Sequence, residues 1–376
     1  MTNRYPFTAI KEKLIERQGR VLDFAVGRRT IPLPETIDSW IHANAGLALK
    51  PAGRAEADEF AQAASAFLAR EYCVEIPAGR ILPAPGGRAA MSAFIACALN
   101  PAEKVLVTEP GYPAFARLAR HRHAKVLVSL LNPENAFVPE LDSIVDADDG
   151  PFRVIAVNYP NNPTGATLSS GVMSRLNEIA AASTIFFNDA TYGPLVYDEH
   201  PGSFLGNSTG KTSRIETVEL HSFSKLFPLG PVAVSFLAGS EETMRAVSTY
   251  SEFAWSPLSK LQLKVTAMCL QDSARLQELR GFFPAQLQKL RQTLISIGLE
   301  PYPTPAGVYA LCQVPPQIAG KLVNSAEEAA SRLMDEFDLA VFPLDTPQHS
   351  YLRFSSLYLA EDLERLSRLG AQLQVA

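Results

Sequence analysis

Polar residues that could do chemistry follow three apolar runs of the sequence. After RVIAV comes NYPNNPTG (158–165), after STIFF comes NDATYG (188–193), and after ETVEL comes HSFSK (221–225). Ligands of open α/β sheets bind beyond the carboxyl ends of the strands, so these segments are the first candidates for a site. Each also has a simple structural explanation: NNPTG is a turn sequence, Asp189 could cap a helix, and Lys225 could be a solvated surface lysine.

The combination of side chains is more informative than any one of them. Lys225 could form a Schiff base, and Asp189 could pair with a protonated ring nitrogen. Asn162 and Tyr192 could hydrogen-bond a phenolate oxygen. A pyridoxal phosphate site requires this set. All four residues lie at the ends of predicted strands or just after them, so the sequence predicts that they serve one site.

The elements that must position these residues alternate along the chain from about residue 55. Helical spacing covers residues 55–72 and 88–99. Short apolar runs predict strands at 104–109, 125–130, 153–160, 183–189, 216–222 and 232–239. Buried strands separated by helices are typical of a mostly parallel sheet that is covered on both faces. The predicted fold class is therefore α/β, with a doubly wound sheet.

The pattern changes after about residue 240. Two long helical segments come first, at 241–255 and 259–298. A smaller α+β tail follows, with strands at 307–314, 339–343 and 351–355 and helices at 325–337 and 360–373. We therefore predict a large cofactor-binding domain over residues 46–270 and a small domain formed by residues 1–45 and 271–376.

Composition excludes several classes of protein. The chain has 376 residues, 47% of them hydrophobic and 19% charged, so it can bury a full core without metals or disulfides. The net charge of −5 offers no polybasic surface for nucleic acid or an anionic membrane. Small-molecule chemistry is the expected function.

Cysteine and histidine spacing gives no sign of a metal site. Cys73, Cys97, Cys269 and Cys312 are far apart, with no CxxC pair, which fits a reduced compartment. His42, His121, His123, His221 and His349 are expected to be surface residues. The first residues are polar, and no apolar run reaches the ~18 residues of a membrane span. We therefore expect a cytoplasmic protein.

The ordered set GYP, NNPTG, DATY and SFSK resembles the fold type I pyridoxal-phosphate enzymes of the class I/II aminotransferase family. The resemblance covers nearly the whole chain. It implies that Lys225 is the Schiff-base lysine that also moves the substrate's α-proton. It further implies that Asp189 keeps the pyridine nitrogen protonated, and that Tyr192 and Asn162 bind the 3′ oxygen. Tyr112 would stack on the ring face.

The resemblance also assigns residues to the phosphate and to the substrate. Gly86, Gly87 and Arg88 match the phosphate loop, where a helix N-terminus binds an anion. The hydroxyls of Ser222 and Ser224 would add to that loop. Arg353 in YLRFSSLY matches the arginine that binds the α-carboxylate, and Gly27 in DFAVG matches the glycine beside the substrate.

Two positions depart from the family pattern. Ala233 stands where the family usually carries a phosphate-binding arginine, eight residues after the lysine. Ala48 stands where a tyrosine commonly reaches the phosphate of the partner subunit. We hypothesise that Arg88 supplies the missing charge. Lys50 is a second candidate for that role.

The resemblance leaves the reaction open between two pyridoxal phosphate activities. An aminotransferase, which moves an amino group between an L-amino acid and a 2-oxo acid, is the leading prediction. A lyase or biosynthetic enzyme that eliminates, decarboxylates or cyclises a specialised amino acid is the alternative. A silent effector domain is disfavoured because no basic extension precedes residue 45, and a nicotinamide dehydrogenase because no GxGxxG opens a helix. The family also implies a homodimer with shared active sites, to which Tyr250, Phe253 and Trp255 could contribute.

Overall fold

The computed structural model describes residues 6–17, 19–26, 31–140, 150–197, 202–208 and 215–373. The chain divides into two compact units, which we call the large unit and the small unit. The large unit comprises residues 31–161 and 167–280, and the small unit comprises residues 1–30, 162–166 and 281–376. The domain limits of 46–270 against 1–45 and 271–376 stay a prediction.

Helices and strands alternate through most of the described chain. In chain order they are α1 (Pro6–Glu16), β1 (Leu22–Asp23), α2 (Glu35–Ala43), α3 (Arg54–Tyr72), β2 (Ile81–Ala84), α4 (Gly87–Ala98), β3 (Lys104–Glu109), α5 (Ala114–His121), β4 (Lys125–Leu130), β5 (Val154–Val157), α6 (Ser170–Ile179), β6 (Ile185–Asp189), β7 (Glu216–Ser222), β8 (Ser235–Ala238), α7 (Glu241–Ala254), α8 (Lys260–Gln271), α9 (Ser273–Ser296), β9 (Tyr309–Gln313), β10 (Gln317–Ile318), β11 (Lys321–Leu322), α10 (Ala326–Phe337), β12 (Leu339–Ala340), β13 (Phe342–Asp345), β14 (Ser350–Ser355) and α11 (Ala360–Leu373).

The large unit contains a seven-stranded sheet in the order β2-β8-β7-β6-β5-β3-β4. The neighbours from β7 to β4 pair in parallel, whereas β8 is antiparallel to both β7 and β2. The predicted α/β class and the mostly parallel sheet are therefore confirmed. The carboxyl ends of β5, β6 and β7 lie along one edge of this sheet, and each is followed by one of the polar segments identified above.

Helix α4 packs on one face of this sheet through small and aromatic side chains. Ala90 and Phe94 are fully buried, and Phe94 stacks on Phe187 of β6 with 4.8 Å between ring centroids. Since small residues let the helix approach the strands closely, the N-terminus of α4 is held firmly against the sheet.

The small unit contains a three-stranded antiparallel sheet in the order β13-β14-β9 and a parallel pair of β1 with β12. The prediction of one strand over residues 339–343 is wrong, because β12 and β13 pair with different partners. The prediction of one helical segment over residues 259–298 is also wrong. Asp272 separates α8 from α9, since its Oδ1 accepts a hydrogen bond of 2.9 Å from the Arg275 N–H and so caps α9.

Among the helices that the structure describes, none combines the length and the apolar composition of a membrane span.

Candidate active site

Lys225 lies in a turn directly after β7. Three side chains around it, those of Phe223, Leu226 and Phe227, are each 1% exposed. The N–H groups of Leu226 and Phe227 donate to the Phe223 carbonyl over 3.1 and 2.9 Å. Lys225 itself is exposed, and none of the described residues forms an ion pair or hydrogen bond with it. A rigid turn therefore presents an amine that is available for a covalent partner.

Asp189 ends β6, the neighbour of β7, and is 5% exposed. Its Oδ1 accepts two hydrogen bonds, one of 2.6 Å from the Thr191 hydroxyl and one of 3.2 Å from the Thr191 N–H. No hydrogen bond reaches Oδ2 from the part of the chain that the structure describes. Burial raises the pKa of the Asp189 carboxyl, while the Thr191 bonds and the charge of His221 lower it. A cation at Oδ2 would favour the charged form.

His221 and Glu219 form a buried pair on β7. Their side chains are 2% and 0% exposed, and His221 Nε2 lies 3.1 Å from Glu219 Oε2. Glu219 also accepts bonds from the Ser203 hydroxyl and the Phe204 N–H, over 2.8 and 2.7 Å. The His221 ring stacks on Phe236 at 4.8 Å, and its Nδ1 is buried with no hydrogen-bond partner among the described residues. The expectation that His221 is a surface residue is wrong, because it lies on a strand face that is covered.

A cavity of about 90 Å³ lies beside Asp189. Tyr112, Asn158 and Phe187 also line it. Tyr112 follows Gly111, whose Cα lies so close to the Thr108 carbonyl that a side chain would place a Cβ 2.6 Å from that oxygen. The structure therefore brings the predicted ring-stacking tyrosine and the predicted ring-nitrogen carboxylate to one cavity.

Tyr192, the predicted partner of the 3′ oxygen, is 3% exposed in the turn after β6. The strand-end loops next to it are fastened together. The Asn158 Nδ2 donates to the Asp189 carbonyl over 2.9 Å, and the Asn188 side chain bonds both the N–H and the carbonyl of Tyr159. These bonds fix the loops after β5 and β6 in register.

The N-terminus of α4 lies beside the ends of β7 and β8. Gly86 has a φ of 96°, a conformation that favours glycine, and Gly87 is the first helical residue. The N–H groups of the first helical turn have no acceptor within the helix. Arg88 occupies the second helical position, and its side chain is exposed. This part of the structure is a helix terminus that can bind an anion through backbone amides.

Two of the predicted phosphate-binding residues are serines at the end of β7. Ser222 is the last residue of β7 and is 8% exposed, and its Oγ lies 3.1 Å from the Ser224 Oγ. Ala233 is 9% exposed and adds only a methyl group, whereas Ala48 and Lys50 are exposed. The structure therefore brings the two predicted serines together, and it leaves Lys50 with no described ion pair.

Arg353 in the small unit is 7% exposed on β14. Its guanidinium carbon lies 4.0 Å from the centre of the Tyr309 ring and 4.4 Å from the centre of the Phe342 ring. Nη1 donates to the Asn162 Oδ1 over 2.9 Å, and Nη2 donates to the Ala25 carbonyl over 3.2 Å. The buried Nε has no hydrogen-bond partner, and no carboxylate forms an ion pair with Arg353, among the described residues. A buried cation without a counter-ion fits an anionic ligand.

The glycine of NNPTG has a structural role in the small unit. Gly165 has a φ of 73°, and a Cβ there would lie 2.5 Å from the Ala306 carbonyl oxygen. This close approach holds Asn162 next to Arg353. Gly27, the other predicted substrate-side residue, lies outside the described residues.

The large-unit residues fit pyridoxal phosphate. The observation that tests this fit is the buried carboxylate of Asp189, which lines a cavity together with Tyr112 and whose Oδ2 accepts no hydrogen bond from the described residues. A protonated pyridine nitrogen would supply that cation.

Sequence reasoning missed Thr191, Glu219 and His221. One signal was present: Thr217, Glu219 and His221 alternate along β7, which places them on one face of the strand. The prediction of ETVELHS as an apolar run overlooks this alternation, which indicates polar side chains along one face of the strand.

Comparisons with known proteins show the family of the chain. The sequence profile described as aminotransferase class I and II matches residues 21–367. An LL-diaminopimelate aminotransferase from Methanocaldococcus jannaschii is 30% identical over 288 residues, which cover 76% of this chain and 68% of that protein.

Solved structures agree on the fold. The N-succinyldiaminopimelate aminotransferase from Mycobacterium tuberculosis has a TM-score of 0.86 at 20% identity, covering 98% of this chain and 97% of that one. Substrate-bound BacF from Bacillus subtilis has a TM-score of 0.85 at 20% identity, covering 100% and 98%.

The relatives are named as aminotransferases, which supports amino-group transfer over elimination, decarboxylation or cyclisation. The chain belongs to the aminotransferase class I and II family, and it is a pyridoxal phosphate-dependent aminotransferase of fold type I that acts on amino acids and 2-oxo acids.

Proposed function

We propose that this enzyme transfers the amino group through Lys225, with Asp189 holding the cofactor ring in its protonated form. The observation that carries the proposal is the buried Asp189 carboxylate, which lines a cavity with Tyr112 and whose Oδ2 accepts no hydrogen bond from the described residues. When bound, pyridoxal phosphate supplies a carbonyl carbon for the substrate's amine and a ring that accepts the electron pair released at Cα.

Lys225 has two roles in this proposal. Its Nζ binds the cofactor covalently in the resting enzyme, and after the substrate's amine has displaced it, the same Nζ removes the α-proton. The exposed position of Lys225 on a turn anchored by Phe223, Leu226 and Phe227 supports both roles, because the amine can move while its backbone stays fixed.

The other polar groups orient the cofactor. Tyr192 and the amide Nδ2 of Asn162 donate to the ring's 3′ oxygen, and Tyr112 stacks on the ring face. The phosphate binds at the α4 terminus, through the backbone of Gly86, Gly87 and Arg88 and the hydroxyls of Ser222 and Ser224. The shared carboxyl-end edge of β6 and β7 supports this arrangement for the large-unit residues.

Arg353 binds the α-carboxylate of the substrate in this proposal. Its donors that do not bond Asn162 or Ala25 can form a bidentate pair with a carboxylate, and the Tyr309 and Phe342 rings fix the plane of the guanidinium. Gly27 is proposed to lie beside the substrate on the basis of the family pattern alone.

The test is the visible absorption of the purified enzyme while single amino acids are added without any oxo acid. The donor panel includes LL-diaminopimelate and glutamine, because relatives carry these substrates in their names. We expect one donor to convert the bound cofactor to its amine form in a single turnover, and Lys225→Ala to abolish the conversion. Product formation with the cofactor returned unchanged would contradict transamination, and conversion at an unchanged rate by Lys225→Ala would contradict the role of Lys225.

We also propose that the enzyme is a cytoplasmic homodimer. The family pattern supports the dimer, as do Leu49 and Phe253 of the large unit, which are each 90% exposed. The four free cysteines support a reduced compartment. Analytical ultracentrifugation at micromolar concentration tests the dimer, and cell fractionation tests the location. A monomer, or recovery of the enzyme outside the cytoplasm, would contradict the respective proposal.

A further inference from the structure

Ser235 is a buried serine for which the family pattern assigns no role. It is the first residue of β8 and is 1% exposed. No hydrogen bond to its Oγ comes from the residues that the structure describes. A hydroxyl that bonds no protein group, in a side chain as well buried as this one, needs an explanation.

The sheet register places Ser235 beside the α4 terminus. Ser235 pairs with Ser222 of β7 on one side and with Ala84 of β2 on the other. Directly paired residues on neighbouring strands point to the same face with their Cβ atoms about 5 Å apart. Ser222 and Ser235 therefore present two hydroxyl groups on one face of the sheet.

The contacts of Gly87 show that this face meets the helix terminus. A Cβ added to Gly87 would lie 3.9 Å from Ser235 Oγ and 3.3 Å from Leu220 Cδ2. The hydroxyl of Ser235, which has no partner among the described residues, thus lies close to Gly87, the first residue of α4. The N–H groups of this first helical turn lack acceptors within the helix. Backbone amides and serine hydroxyls are the neutral donors that bind phosphate oxygens.

We propose that Ser235 binds the phosphate of the cofactor together with Ser222, at the place where this chain lacks the arginine of its family. The two hydroxyls donate to phosphate oxygens, and the amides of Gly87 and Arg88 donate from the opposite side. Ala233 lies only two residues before Ser235, so one short segment both loses the cationic group and supplies the hydroxyl. The inference rests on the proposed cofactor site, but not on the role of Lys225.

The experiment compares two ligands that differ only in the phosphate. Pyridoxamine phosphate and pyridoxamine have no aldehyde and cannot bond covalently to Lys225, so their binding to the cofactor-free enzyme reports the non-covalent contacts. For Ser235→Ala we expect the Kd of pyridoxamine phosphate to rise about tenfold, the effect of one hydrogen bond to a charged group. The Kd of pyridoxamine should change less than twofold. Ser129→Ala, which removes a hydroxyl from a 9%-exposed position on β4, is the matched control and should change neither Kd.

A second readout separates a binding role from a structural one. Because Ser235→Ala removes a hydroxyl that bonds no protein group, the melting temperature of the cofactor-free variant should match that of the wild type. An equal loss of affinity for both ligands, or a lower melting temperature of the cofactor-free variant, would show that Ser235 is structural. An unchanged Kd for pyridoxamine phosphate would also overturn the proposal.

Failure of this inference is distinguishable from failure of the proposed function. If Lys225→Ala still transferred amino groups while Ser235→Ala lost affinity for the phosphate ligand alone, the phosphate site would stand and the role of Lys225 would fall. If Lys225→Ala abolished amino transfer while Ser235→Ala kept its affinity for the phosphate ligand, only the role of Ser235 would be overturned.

Discussion

The two ends of the proposed cofactor site differ in how they use charge. At the end that would bind the ring nitrogen, Asp189 is a buried carboxylate. His221 and Glu219 form a buried pair on the neighbouring strand β7. At the phosphate end, the groups beside the α4 terminus are glycines and the hydroxyls of Ser222 and Ser235, with a methyl group at position 233.

This difference indicates which property of the enzyme each end of the site controls. A buried charge is costly without a partner, so Asp189 gains most from a ligand that carries a positive charge on the ring, and that charge changes during catalysis. Neutral donors are desolvated at lower cost and interact with the phosphate equally throughout the reaction. The ring-nitrogen end should therefore control the rate, and the phosphate end should control cofactor affinity.

Asp189→Asn should have the largest effect. The amide keeps the shape of the side chain but removes the charge that stabilises the protonated ring, so we expect kcat to fall about 10³-fold, the upper range for one electrostatic group in an active site. The affinity for the cofactor should fall much less. Single-turnover kinetics at saturating cofactor measure the effect, and a kcat within tenfold of the wild type would contradict the assignment.

His221→Gln should lower kcat about tenfold. The glutamine can still bond Glu219, but it removes the positive charge that favours the ionised form of Asp189. The pH dependence of kcat should shift while the Kd of the cofactor stays within twofold of the wild-type value. If Kd and the melting temperature change but the pH profile does not, His221 has only a packing role against Phe236.

Gly87→Ala should weaken the cofactor about fivefold with kcat unchanged at saturation. The added methyl lies 3.3 Å from Leu220 Cδ2, so the helix terminus or Leu220 must shift by a few tenths of an ångström. Gly281→Ala is the matched control, because a Cβ there contacts nothing within 4 Å. An equal loss of cofactor affinity in both variants would show that the loss is not specific to the geometry of the phosphate end.

The stability of the cofactor-free enzyme should depend on pH through Asp189. Burial raises the pKa of this carboxyl above its unfolded value, so the folded state binds more protons and stability falls as the pH rises from about 3.8 through the folded pKa. Asp189→Asn removes this loss and should melt a few degrees higher than the wild type at pH 8. Thermal unfolding of both cofactor-free proteins from pH 4 to pH 8 tests the sign. A less stable Asp189→Asn at pH 8 would contradict it.

Arg88→Ala should have the smallest effect. The side chain is exposed, and exposed ion pairs contribute little, so we expect the Kd of pyridoxamine phosphate to change less than threefold. The sequence-based hypothesis that Arg88 supplies the charge missing at Ala233 requires a larger loss, of tenfold or more. Equilibrium binding at low ionic strength decides between the two.

Most of the fold was predictable because its signals are local. The apolar runs of β3, β4 and β7 match the structure at both ends, and the helical spacing of α3 is correct to within one residue. Lys225 and Asp189 were identified because residues after parallel strands meet at one edge of the sheet. The bounds of β12 and β13 failed because pairing with distant strands decides them.

The polar network could not be predicted for the same reason. Ser235 becomes informative only when the antiparallel register of β8 sets it opposite Ser222 and next to Gly87. His221 is polar, and only the packing of Phe236 against its ring shows that it is buried. Such contacts join residues that are many positions apart in the sequence, and their spacing follows no regular period.

The most direct test of the account is a crystal structure of the enzyme with pyridoxal phosphate bound. We predict a hydrogen bond between Asp189 Oδ2 and the ring nitrogen, and phosphate oxygens bonded to the hydroxyls of Ser222 and Ser235 with no arginine or lysine side chain within 4 Å. A phosphate held by the Arg88 guanidinium, or a ring nitrogen that does not contact Asp189, would contradict the division of the site into a charged end and a neutral end.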